Sequence, residues 1–234
     1  MDDGTSVKCE YRFRFENGRE LSYTLYLSPD RKELLRIEPY IDKKPEWALL
    51  GYSKCENCSL EPDEHRYCPV AVNIIQVIEN FKDISSLEPV KVTVTTPERI
   101  TLRETPIQYA LGSLLGLCNA ISGCPILSRF APLARFHLPF STVDETLYRT
   151  IADYLLEQYC KYKNGETPDW DLKGLEDFYV EVEKVNKALC NRFRGVCVSD
   201  ANLNAVITLD SYVKNVIYLM KHNVEKLKTL YNVK

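Results

Sequence analysis

The sequence predicts an α+β fold in which an N-terminal antiparallel sheet packs on a C-terminal antiparallel helical bundle. Three observations carry it. Residues 8–27 alternate apolar with polar around a turn signal, period-2 strand patterning returns at 90–103, and everything after Thr105 has helical spacing. Residues 1–104 would hold the sheet, a Cys-rich loop and one helix, and residues 105–234 the bundle, the two forming one continuous unit.

The first hairpin is the clearest element. Lys8 to Phe15 alternates, Asn17-Gly18 supplies the turn, and Leu21 to Leu27 alternates again. Leu34 to Ile41 adds a third strand. Trp47, Leu49 and Leu50 are placed beneath the cysteine loop. Pro69 suits a first helical position, and Val70, Ile74, Val77, Ile78 and Phe81 continue a helix over about 69–82. Val90–Thr95 and Arg99–Arg103 then read as a second hairpin about Pro97-Glu98.

Pro106 opens the next helix, whose Gly112 and Gly116 permit close helix packing. Thr142-x-x-Glu145 is a capping box that starts a helix running to Tyr162. Asp169 or Asp171 caps a helix with Leu175, Phe178, Val182, Val185 and Leu189 on one face, ending at Gly195. Asp200 caps the last, from Leu203 to about Leu230. Glu176, Asp177, Glu181 and Glu183 are read as a solvated helix face, because no Glu-x-x-His pair accompanies them.

Composition narrows the function classes. Lys and Arg number 30 against 33 Asp and Glu, a net charge of −3, so no basic surface for coating nucleic acid is expected. No apolar run has the roughly 18 residues of a membrane span. The acidic start Met1-Asp2-Asp3-Gly4 does not resemble a signal peptide, and a cytoplasmic location is expected. Walker, dinucleotide, nucleophile-elbow and His-Glu-x-x-His signatures do not occur.

Nine cysteines, an odd number, favour metal or redox chemistry over a disulfide framework. Cys55-x2-Cys58, His65 and Cys68-Pro69 place four soft or borderline ligands within one loop, enough for a tetrahedral Zn2+ site. Cys68 would stand at a helix N-cap, where backbone N–H groups favour a thiolate. Cys124, in Ser122-Gly123-Cys124-Pro125, competes with His65 as fourth ligand. Four cysteines, two of them in Cys-Pro pairs, equally suit a 4Fe-4S cluster. Cys9, Cys118, Cys160 and Cys190 are read as small buried apolar residues.

The stretch Arg129–Phe140 sets Arg129, Arg135 and His137 among apolar residues. It predicts a long non-helical loop lining a pocket for a small anionic ligand, with Arg149 contributed by the next helix. Glu145 and Asp144 are the nearest acidic partners in sequence should those cations instead be paired internally.

Taken together, Cys55-x2-Cys58, Tyr67-Cys68-Pro69, Thr96-Pro-Glu-Arg99, Ser122-Gly-Cys-Pro125, Ala134-Arg-Phe-His-Leu-Pro-Phe140, Pro168-Asp-Trp170 and Asp200-Ala-Asn-Leu-Asn204 resemble a family of uncharacterised bacterial proteins. The resemblance spans Tyr11 to Asn204 and implies no activity or cofactor. It implies that Cys124 and His137 belong to family motifs, which raises Cys124 over His65 as a ligand. Three functions are therefore expected in turn: a zinc-binding protein with binding or regulatory work, acting on an unknown protein or small anion; an iron–sulfur redox or sensor protein; and an enzyme built on the Arg129–His137 pocket.

Overall fold

In the computed structural model, which describes residues 6–222, five strands form one antiparallel sheet. They are β1 (Val7–Phe15), β2 (Glu20–Leu27), β3 (Leu34–Glu38), β4 (Pro89–Thr95) and β5 (Ile100–Pro106), in the order β3-β2-β1-β4-β5. Alternation decides which face is covered: Cys9, Tyr11, Phe13 and Phe15 of β1, Tyr23 and Leu25 of β2, and Val90, Val92 and Val94 of β4 all point inward and are buried. The register sets Tyr11 opposite Tyr23 on one side and Val94 on the other. Gly18 closes the first hairpin at φ 84°, a left-handed conformation that glycine adopts without strain.

Helix α1 (Pro69–Phe81) lies across this inner face, its Phe81 ring against Phe13, Phe15 and Tyr23. Pro69 does open it and Cys68 is the N-cap residue. Helix α2 (Ile107–Ala120) is buried along almost its whole length between the sheet and the later helices. At Gly112 a Cβ would stand 3.6 Å from the Ala205 carbonyl oxygen and at Gly116 3.5 Å from Leu209, so the two glycines do bring α2 against the last helix.

The segment expected as a non-helical loop is helical over most of its first half. A 3-10 turn at Leu127–Phe130 runs into α3 (Ala131–Arg135), with Pro132 in the first turn where its missing N–H costs nothing. Phe136–Ser141 is the irregular remainder.

Helix α4 (Val143–Lys163) begins in the expected capping box, Thr142 Oγ1 accepting from the Glu145 N–H and Glu145 accepting from the Thr142 N–H. Helix α5 (Lys173–Arg194) starts differently from expectation. Its N-cap position is Leu172, in a left-handed conformation, and no side chain caps there. Asp169 works from outside, accepting the Gly174 N–H at 2.7 Å and the Tyr154 hydroxyl at 2.8 Å.

Helix α6 (Ala201–His222) follows after six residues and packs along α5 and α2. Asp200, the expected cap, spends its carboxylate on the Ser86 N–H and hydroxyl and on Asn204, which ties the start of α6 to the turn after α1. The expected extension toward Leu230 lies outside the described residues. Sheet and helices share one continuous apolar core. None of the described helices is long and apolar enough to cross a membrane.

Candidate functional site

Two cavities collect six of the nine residues singled out by the sequence. The smaller, about 20 Å3, is lined by Cys55, Cys58, Cys68 and Cys124 together with Leu50 and Arg192. Three separate stretches deliver the four sulfurs. Cys55 and Cys58 flank a tight turn closed by the Cys58 N–H on the Cys55 carbonyl. Cys68 is fixed when its N–H bonds the Ala48 carbonyl, one rung from the Leu49–Tyr67 bridge. Cys124 follows Gly123, whose φ of 77° turns the chain sharply out of α2.

All four are free thiols. Burial, then the neighbouring Cys68, Cys58 and Cys124, push the Cys55 thiol up to about 12, while Arg192 opposes the shift. Burial raises Cys124 too, countered by the N–H groups of Leu127 and Ile126 pointing at its sulfur. Among the described residues, no three His, Cys, Asp or Glu side chains stand as a ready ligand set, so the sulfurs share a space without meeting at one point. His65 is exposed and does not line this cavity.

Arg192 is the residue that sequence reasoning missed here. It is 2 % exposed, and its guanidinium donates to the carbonyls of Trp47, Leu49 (2.7 Å) and Ser53 (3.1 Å). It makes no ion pair among the described residues. A signal existed: position 192 continues the face marked by Val185 and Leu189, so an arginine stands where helical spacing calls for an apolar residue.

The larger cavity, about 570 Å3, is walled by α2 through α6 and the end of β5. His137 and Arg149 both line it; Arg129 and Arg135 do not. Arg129 is exposed and lies over the Phe178 ring, 4.2 Å from its centre. Arg135 is exposed and donates to the Asp30 carbonyl. Glu145 is spent in the capping box.

His137 Nε2 is 2.5 Å from the Tyr11 hydroxyl, which also meets Ser113 Oγ at 2.9 Å. Burial, then the charge of Arg149, hold the imidazole pKa down to about 3, so the ring is neutral at physiological pH. Arg149 donates to the carbonyls of Leu133 (3.1 Å) and Phe136 (2.8 Å), stapling α3 to α4.

Of the other cysteines, Cys9, Cys118 and Cys190 are buried as expected, but Cys160 is exposed, on the solvent side of α4.

These features define an α+β protein with a thiol cluster and a separate, largely apolar cavity. The chain belongs to the family described as "Domain of unknown function (DUF6901)", whose model matches residues 9–232. No curated protein and no solved structure matches it.

Proposed function

We propose that the protein binds one zinc ion through Cys55, Cys58, Cys68 and Cys124, and that its work is binding or regulatory and not catalysis by its own side chains. The observation that supports this is Arg192. A buried guanidinium whose hydrogen bonds reach only carbonyls, with the Tyr52 ring 5.8 Å away, is expensive unless negative charge lies close by. The ionisable groups that act on it electrostatically are Cys68 first, then Cys55 and Tyr52. Four thiolates around a divalent ion carry a net charge of −2, and Arg192 offsets part of it in place.

The donor set fits zinc: sulfur ligands, a Cys-x2-Cys turn, and backbone N–H groups aimed at Cys124 that stabilise its thiolate. Coordination requires the four side chains to turn toward the space they already share. Zinc would supply a structural cross-link between the 55–68 loop and the end of α2. The small cavity favours a single ion over the bulkier 4Fe-4S cluster.

Elemental analysis of freshly purified protein tests this. About one zinc per chain is expected, lost in Cys55→Ser, Cys58→Ser, Cys68→Ser and Cys124→Ser and kept in His65→Ala. Metal content unchanged in the four Ser variants overturns the assignment. Iron with absorption near roughly 400 nm transfers the site to the iron–sulfur reading.

A further inference from the structure

The 570 Å3 cavity falls in the size range of small-molecule sites, about 300–1,000 Å3. Leu117, Leu127, Leu133, Leu138, Val182 and Val213 give it an apolar body. Its charged lining is lopsided. Glu104, the one lining carboxylate among the described residues, is paired with Lys91 at 3.2 Å. Arg149 and Arg103 make no ion pair among the described residues; their recorded hydrogen bonds reach only backbone carbonyls. Asp153 and Glu145 act on Arg149 from beyond ion-pair distance.

His137, held neutral, adds no charge of its own. The cavity therefore presents a partly buried cation without a counter-ion beside a large apolar volume. Two further groups are unsatisfied in its wall. Asn119, 6 % exposed, has no partner for Oδ1, and Asn186, 3 % exposed, has none for Nδ2. Native cores rarely leave such atoms unpaired without a reason.

We infer that this cavity binds an amphipathic carboxylate whose anionic head pairs with Arg149 and whose apolar body fills the space among α2, α5 and α6, carrying a hydroxyl or amide for Asn119 and Asn186. The guanidinium is suited to the head because a fork of N–H donors matches the two oxygens of a carboxylate. A group that both donates and accepts suits the body, because Asn119 lacks a donor partner and Asn186 an acceptor. The site shares no residue with the cysteine cluster and stands or falls independently of zinc.

Isothermal titration of the full chain with dodecanoate, dodecanol and ω-hydroxydodecanoate tests the inference. Dodecanoate is expected to bind at least about tenfold more tightly than dodecanol, the measure of one charge-assisted pair. Arg149→Met should erase that preference while Arg149→Lys keeps part of it. The hydroxy acid should exceed dodecanoate, and should lose that advantage in Asn186→Leu. Should Arg149→Met fail to fold, the acid-to-alcohol ratio in the unaltered chain still decides. Equal affinity for acid and alcohol, or no binding of any of the three, overturns the inference.

Discussion

Arg192 carries its charge into the core on three backbone carbonyls. Replacing it by Met removes the charge, keeps most of the stem, and leaves the carbonyls of Trp47 and Ser53 without donors, while that of Leu49 keeps the Tyr52 N–H. At about 1 kcal/mol or more for each of the two orphaned carbonyls, Arg192→Met is expected to cost about 2 kcal/mol or more in urea unfolding. A loss under about 1 kcal/mol would mean that water replaces the guanidinium. His137 makes a second prediction. The unfolded chain takes up a proton at this ring below the ordinary 6.5, which the folded chain refuses until about 3. Folding stability therefore falls as pH drops through that window and is untouched above it, with a slope of at most about 1.4 kcal/mol per pH unit. Stability measured against pH should fall less steeply in His137→Gln than in the parent between these limits. Parallel curves would place the proton elsewhere.

At the scale of elements, most of the architecture can be read from local chemistry. The Asn17-Gly18 turn, the Pro69 start and the Thr142 capping box each specify their structure within a few residues, and each stands where the sequence puts it. The misses are long-range. Spacing puts Asp169 or Asp171 at the cap of α5, but Asp169 serves the entry across a left-handed turn, held by a tyrosine of α4. Arg129–Phe140 lacks helical periodicity because the two short helical turns that reach into it from Leu127 bury only Leu127, Ala131 and Ala134. Convergence of Cys124 on the 55–68 loop had only motif support, since spacing says nothing about contacts made by tertiary packing. The α5 entry yields a prediction with reversed sign. An exposed helical Gly→Ala change ordinarily stabilises by nearly 1 kcal/mol. At Gly174 the new Cβ would come within 2.6 Å of the Tyr154 hydroxyl and dislodge it from Asp169. In a double-mutant cycle, Gly174→Ala should be less favourable by about 1 kcal/mol in the parent than in a Tyr154→Phe background. Additive effects would show that the hydroxyl moves aside freely.

For the molecule as a whole, the single core running from β2 through α1 and α2 to α6 leaves no seam along which halves could part. Far-ultraviolet circular dichroism, which follows the helices, and the fluorescence of Trp47, buried beside α1 and read in a Trp170→Phe background, should therefore share one midpoint on heating. Trp47 meets Phe193 of α5 edge-on, which couples the two signals directly. Separate midpoints would divide the chain near residue 105. The continuity of this core also sets the order in which the protein can be completed. All five strands are made within the first 106 residues, and α1 is available to cover part of their inner face early. Tyr11 belongs to the part it leaves bare: its hydroxyl partners, Ser113 and His137, are encoded 102 and 126 residues later. As the chain emerges from the ribosome, the Tyr11 hydroxyl lacks both partners until α2 and α3 have been synthesised.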